Sequence, residues 1–360
     1  MLHSTFADIL MTWYSTNHRR SLPWKSSKDP YPIWISEIIL QQTRVEQGIP
    51  YFLRFMERFP DIQSLAESHE DEVMKLWQGL GYYSRARNLH FTAKYVWSEL
   101  NGCFPSTYAE IIKLKGIGPY TAAAISSFAF DERYPVVDGN VLRLISRILG
   151  MIEPVDSTFV SRQIYDFVHQ AISSVDPADF NQALMDFGAS QCKPALPLCS
   201  HCPFIFYCQA YQKKAVDSIP YKSKKTARKS RYFHYLVTEL PNAMTILHQR
   251  TGTDIWKKLF QFPMIETNSF ENPSKNLITD ALLNIGLDIR EVNMEVVKVY
   301  ESRQLLTHRI IYGYFFSLQL DINDVKINKD HYLVEREKVS NFAFPKMIAD
   351  FIDSSSFLTK

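Results

Sequence analysis

At 360 residues the chain exceeds the usual reach of one hydrophobic core, so two or three packed units are expected. Hydrophobic residues at 46% and aromatics at 14% exclude a disordered polymer. A formal charge of +2 points by itself to neither nucleic acid nor membrane, so any electrostatic footprint must sit in local clusters. The stretch Met1 to Asp8 lacks the basic flank and apolar core of a signal peptide, and no apolar run reaches bilayer-spanning length. A soluble, cytoplasmic protein is expected.

From Phe6 to about Tyr211 apolar residues recur at helical spacing, as in Val73, Leu76, Trp77 and Leu80. Punctuation at Pro23, Pro30, Pro50, Pro60, Gly79, Gly81, Gly102 and Pro105 divides this part into many short helices. An all-α region over 1–212 follows. Between Lys213 and Arg231 stand eight basic residues (Lys213, Lys214, Lys222, Lys224, Lys225, Arg228, Lys229, Arg231) against the single acid Asp217. That run reads as a linker, 213–231, either plainly solvated or also touching nucleic-acid phosphates. Beyond it YFHYLVTEL, MTILHQR, VVKVYES and IIYGYFFSLQL are β-branched and aromatic runs, with one helical stretch near Leu277 to Ile285. Residues 232–360 are therefore expected to form a smaller α+β domain.

Of five cysteines, four are spaced C-x6-C-x2-C-x5-C at Cys192, Cys199, Cys202 and Cys208. Such crowding suits a metal centre in a reducing compartment better than a disulfide framework, and leaves Cys103 as a structural thiol. Four thiolates can enclose one zinc ion or a cubane iron-sulfur cluster, and spacing alone leaves both open. The second signal is LKGIGPYTAAAI, Leu114 to Ile125, where Gly116 and Gly118 allow a tight turn followed at once by a helix start. Backbone amides at such a turn can grip a phosphate, although many such turns are only turns.

The LxGxGxxTA hairpin, followed by VVDGNVLR at Val136 to Arg143 and then by the cysteine loop, resembles the helix-hairpin-helix DNA glycosylases of the endonuclease III superfamily, MutY branch. The segments WISEIILQQTRVE and GLGYYSRARNL agree, so the resemblance covers roughly Phe6 to Cys208. It implies a six-helix hairpin-containing module over about 26–133, and an iron-sulfur module built from the N-terminal helix with 134–212 around a [4Fe-4S] cluster held by the four cysteines. The lyases of this superfamily carry a lysine two residues after the second hairpin glycine, where its amine forms an imine. Tyr120 stands there, so the resemblance implies base release without efficient strand cleavage.

Asp138 matches the superfamily's essential aspartate and Glu37 the general acid of the branch. Glu37 lies among Trp34, Ile35, Ile38 and Leu40, and apolar surroundings raise a carboxyl's pKa as a proton donor near neutrality requires. Departure of a base leaves an oxocarbenium-like sugar, so one carboxyl should protonate the leaving group and an ionised one support the cation. By the same resemblance Asn140 and Tyr120 orient Asp138 and the flipped nucleotide. Arg20 and Trp24 line an adenine pocket, and Gln42 and Tyr82 wedge into the base stack. Thr43, Leu80, Gly116 and Gly118 would contact DNA. Residues 232–360 resemble a Nudix-like recognition domain, with IWKKLFQFP at Ile255 to Pro263. Its ITDALLNIGL segment lacks the glutamates that hold magnesium in an active pyrophosphatase. Thr307 and His308 stand nearest to a Phe-Ser-His loop that reads 8-oxoguanine, with Leu306 departing from the pattern.

The expected partner is duplex DNA with adenine opposite 8-oxoguanine or guanine, acted on by a monomer, nucleoid-associated in a bacterium. Two rival readings are an endonuclease III type lyase acting on oxidised pyrimidines and a non-catalytic iron-sulfur DNA-binding protein. Tyr120 and the extra C-terminal domain speak against the first, Glu37 with Asp138 against the second.

Overall fold

The computed structural model describes residues 3–16, 21–25, 27–223, 227–287, 289, 295–322 and 325–354. The chain divides into two compact units, Met1–Glu67 with Asn88–Lys225, and Ser68–Arg87 with Thr226–Lys360. The segment Ser68–Arg87 thus groups with the α+β unit, where the sequence boundaries had kept it in the helical region.

The described residues of the first unit form helices joined by loops, with no strand among them. Helix α1 (His3–Ser15) buries Phe6, Leu10 and Trp13, a stripe at three- and four-residue spacing. Helix α2 (Pro30–Leu40) starts where the Asp29 side chain accepts from the Tyr31 N–H at 2.9 Å, with Pro30 pre-set for the first turn. Ile33 through Ile39 are all buried, so α2 is a central helix that takes Glu37 into the interior with it. Helix α3 (Pro119–Phe130) opens directly after the Gly118 turn. Helix α4 (Gly139–Leu149) is capped by Asp138, and α5 (Pro177–Ser190) by Asp176, whose side chain accepts from the Asp179 N–H at 2.8 Å.

Phe6 stacks on Phe204 with ring centroids 5.0 Å apart, and Phe187 meets Phe204 edge-on at 5.2 Å. All three are fully buried in the core formed with Leu144, Ile145 and Ile164. Phe204 lies between the third and fourth cysteines, so this packing fastens the cysteine loop to α1 and α5; truncating such a ring costs about 3–5 kcal/mol.

The second unit holds strands β1 (Lys229–Glu239), β2 (Met244–Gln249), β3 (Phe260–Gln261) and β4 (Met264–Thr267), helix α6 (Lys275–Asn284), strands β5 (Glu295–Leu305), β6 (Arg309–Gln319) and β7 (His331–Glu335), and helix α7 (Lys346–Ser354). One sheet has the order β4-β1-β6-β5, with β1 and β6 parallel; the other is antiparallel β3-β2-β7. The central strand β1 is buried on both faces, which explains its unbroken apolar run. Ile278 and Leu282 of α6 cover Leu236, Phe316 and Leu318. Phe351 of α7 stacks on Phe315 at 4.5 Å, so α7 meets the opposite face; the sequence reading had not anticipated this helix.

Within this unit the segment Ser68–Arg87 is tied by side chains. The Gln78 Oε1 accepts from the Phe344 N–H at 3.1 Å, Tyr83 Oη donates to the Phe344 carbonyl at 3.3 Å, and Arg87 Nη1 donates to the Lys257 carbonyl at 2.8 Å. The basic run is shorter as a linker than its composition suggests. Ser223 bonds Asp156 at 3.1 Å in the first unit, and β1 begins at Lys229. Arg231 is bridged by Asp254 and Glu266 at 2.7 and 2.6 Å, which ties up its guanidinium within the fold. Lys224 and Lys225 lie outside the described residues.

Candidate active site and cysteine centre

A cleft of about 980 Å³ in the first unit brings together Trp24, Glu37, Gln42, Thr43, Gly118, Tyr120, Asp138 and Asn140. Arg20 lies outside the described residues. Glu37 is only 6% exposed, and burial pushes its carboxyl up to about 7, with the negative charge of Asp138 acting the same way and a hydrogen bond from Tyr120 acting against both. The Tyr120 hydroxyl has two acceptors within reach, Glu37 and the Met185 sulfur at 3.6 Å, of which the carboxyl is the stronger. Burial and the two nearby carboxylates hold the Tyr120 phenol well above its ordinary range.

Asp138 occupies a different environment. It caps α4, its Oδ1 accepting from the Asn140 and Val141 N–H groups at 2.8 Å each, and its Oδ2 accepting from Asn140 Nδ2 at 2.6 Å. Burial raises its pKa overall, while these three donors, Arg143 and the positive end of the helix dipole pull it partly back down. Both carboxyls are raised by burial, Glu37 opposed by one hydrogen bond and Asp138 by three donors and Arg143 that stabilise its charged form.

Asn140 is held in turn by Arg143, whose Nη2 donates to Asn140 Oδ1 at 3.0 Å and to the Gly188 carbonyl at 2.7 Å. A Cβ on Gly188 would stand 2.6 Å from Asn140 Cβ, so this glycine permits the approach of α5 to α4. Arg143 Nε reaches the Cys192 carbonyl at 2.9 Å. One turn further along α4, Arg147 Nη1 lies 3.4 Å from Cys192 Sγ, and the Arg147 carbonyl accepts from Cys208 Sγ at 3.4 Å.

Cys192, Cys199, Cys202 and Cys208 line one cavity with Leu144, Phe187 and Phe204. Burial raises the thiols of Cys199 and Cys208 and pushes Cys202 up to about 12. Left alone they hold their protons; a soft metal centre is the kind of ligand that displaces them. Among the described residues no three His, Cys, Asp or Glu side chains converge as a group for a single ion.

The hairpin turn has Gly116 at φ +84°, where an added Cβ would meet Asn88 Cβ at 2.6 Å, whereas a Cβ on Gly118 would meet open space. Gly118 thus leaves the N-terminus of α3 open to close approach by an anion. Gln42, on the cleft wall, has φ 56°, a left-handed conformation that a non-glycine residue adopts at a cost of about 1–2 kcal/mol. In the second unit Tyr82 is likewise left-handed at φ 46° and 47% exposed, over the Arg85 guanidinium, with its Oη 2.9 Å from Thr307 Oγ1. Thr307 and His308 are exposed in the turn joining β5 to β6, and Arg228 Nε donates to the Thr307 carbonyl at 3.4 Å. Leu80 is buried at 8% exposure.

The cleft also contains groups that the sequence reading missed. Lys25 Nζ pairs with Asp186 at 3.0 Å on its wall, beside Gln182 and Met185. The only local signal was the adjacency of Lys25 to Trp24.

Residues 35–168 match the family model described as HhH-GPD superfamily base excision DNA repair protein. An adenine DNA glycosylase of Buchnera aphidicola (subspecies Schizaphis graminum) is 40% identical over 262 residues, 73% of this chain and 75% of the relative. The chain belongs to the adenine DNA glycosylase family. The mouse member is 44% identical over 220 residues, 58% of this chain and 42% of the longer relative. Among solved structures, a thermostable thymine-DNA glycosylase superposes with a TM-score of 0.54 at 28% identity, over 59% of this chain and 97% of its own. A non-covalent endonuclease III–DNA complex shares the fold at a TM-score of 0.51 and 20% identity, over 59% of this chain and 99% of its own. No helix among the described residues is long and apolar enough to cross a membrane.

Proposed function

We propose that the chain is a monomeric, monofunctional DNA glycosylase of base excision repair that removes adenine opposite 8-oxoguanine or guanine. The observation that carries this reading is the pairing of two unlike carboxyls in one cleft, Glu37 raised to about 7 and Asp138 set in the donors of a helix N-terminus. The N-glycosidic bond breaks with its electron pair moving onto the base, which takes the Glu37 proton at N7. Asp138 supports the cationic sugar, water adds at C1′, and the proton released returns to a carboxylate. Tyr120 has no amine to form an imine, and its hydroxyl orients Glu37. Trp24 and the Lys25–Asp186 pair shape the base pocket; Gln42 and Thr43 contact the opened duplex.

The four thiols in one cavity suit a [4Fe-4S] cluster, which when bound would hold the loop in place. The second unit, with Ser68–Arg87, acts as a Nudix-like reader of the opposing base through Tyr82, Thr307 and His308. Its α6 carries Asp280 and no glutamate, so recognition without pyrophosphate hydrolysis is expected.

Duplexes bearing A opposite 8-oxoguanine, A opposite G, A opposite T, and thymine glycol test the reading. Release of adenine from the first two, with no efficient borohydride trapping, is the expected result. Thymine glycol release with strand cleavage overturns it. Replacing Thr307 with Ala removes both a base-edge hydroxyl and the Tyr82 partner, and is expected to reduce the preference for 8-oxoguanine over guanine about tenfold. Gly188→Ala, by displacing Asn140, is expected to slow single-turnover adenine release ten- to a hundredfold while DNA affinity changes little; an unchanged rate would show that Asn140 tolerates the shift.

A further inference from the structure

The second unit contains a cavity of about 360 Å³ that uses none of the residues of the cleft, lined among others by His248, Arg250, Gln261 and His331. His248 of β2 and His331 of β7 face each other across the antiparallel ladder, with ring centroids 4.6 Å apart. The neighbouring Gln249 N–H donates to the Asp330 carbonyl, which makes His248 and His331 a non-hydrogen-bonded pair, the kind whose side chains stand closest.

We propose that this pair is a binding site for a divalent transition-metal ion of the zinc, nickel and copper class. The protein supplies two imidazoles, and water entering the cavity completes the shell, since among the described residues no third His, Cys, Asp or Glu joins them. His248 Nδ1 lies 3.1 Å from the Asp330 carbonyl, which sets the Nδ1–H tautomer and leaves Nε2 as a free lone pair. A ring whose second nitrogen is tied to a backbone carbonyl is the usual arrangement of a metal-binding histidine. His331 Nδ1 is buried and has no hydrogen-bond partner, so this ring nitrogen is available to a ligand.

The charged neighbours leave the imidazoles available. Arg250 donates to Gln261, Asp254 and the Ile255 carbonyl, and Asp254 is shared between Arg250 and Arg231. Burial lowers both imidazoles below the ordinary histidine range, helped by Arg250 at His248 and by His248 at His331, with Asp330 opposing at each. Both are then neutral at pH 7, and no proton has to leave before a metal binds. Imidazole pairs favour copper and nickel over manganese or magnesium, and zinc is bound comparably well.

The test is calorimetric titration of the full-length protein, its cysteine loop loaded, with zinc chloride at pH 7.5. One equivalent bound is expected, at least tenfold weaker in His248→Ala and in His331→Gln, with adenine release unchanged in both. Binding is also expected to weaken progressively as pH falls, because protons compete with the metal for the imidazole nitrogens. Should either variant fold poorly, copper titrated into the parent must show a resonance signal split by two imidazole nitrogens. No stoichiometric binding, equal binding by the variants, or a copper signal without that splitting overturns the site.

Discussion

Glu37→Gln is expected to slow adenine release by roughly a hundred- to ten-thousandfold in single turnover, the range over which a positioned general acid acts. Gln fills the same volume in the same buried turn of α2, so duplex affinity should stay near the parental value, and a binding measurement on the variant separates chemistry from docking. The parent has an additional signature. With Glu37 raised to about 7, the rate should be flat below that pH and fall tenfold per unit above it, and the variant should lack this limb. The substitution is expected to raise stability while it lowers the rate. A carboxyl whose folded pKa is raised from 4.5 to about 7 destabilises the fold as pH rises through that interval, absent below 4.5 and complete above 7. The penalty is up to about 3 kcal/mol, which Gln removes, so the variant should melt higher than the parent at pH 8. Parental rates, or a rate limb that survives in the variant, would reject Glu37 as the proton donor.

What the sequence disclosed depended on how local each feature is. Asp138 is legible because a helix cap and the motif around it occupy adjacent positions, and the four cysteines because their ligand spacing lies within seventeen residues of chain. Glu37 is legible from its apolar neighbours, since a helix buried on every face has no polar stripe in which to hide a carboxylate. The Lys25–Asp186 pair spans 161 positions, and nothing at either end marks the other. The grouping of Ser68–Arg87 with the second unit rests on hydrogen bonds to Phe344 and Lys257, again without local trace. Arg231 belongs to a basic run by composition, yet Asp254 and Glu266 are supplied by other segments of the sheet unit, so what reads as a solvated charge is a structural one. The left-handed backbones of Gln42 and Tyr82 are invisible for a different reason: a glycine would have marked such a turn, and here the side chain is kept despite the strain.

Asp138→Asn is expected to slow base release by roughly a thousandfold while leaving the fold nearly as stable as the parent. The two consequences separate because Asp138 does two things. As the cap of α4 it accepts from the Asn140 and Val141 N–H groups, and an asparagine oxygen caps a helix about as well. In the proposed mechanism its anion supports the sugar whose positive charge grows as the base departs, and a neutral amide cannot meet that charge; loss of one preorganised electrostatic group typically costs about 3–4 kcal/mol of transition-state stabilisation. The amide also carries an N–H2 group, so one edge of residue 138 changes from acceptor to donor opposite Asn140 Nδ2, which Arg143 holds in place through Oδ1. Asp138→Ala serves as the control, since it removes both the cap and the charge: it should be as slow as the Asn variant and less stable by about 0.5–2 kcal/mol in urea unfolding. Equal rate loss with unequal stability assigns catalysis to the charge. If Asp138→Asn turned over like the parent while Asp138→Ala did not, the cap would be the important feature, and the cation would have to be supported by a different group on the cleft wall.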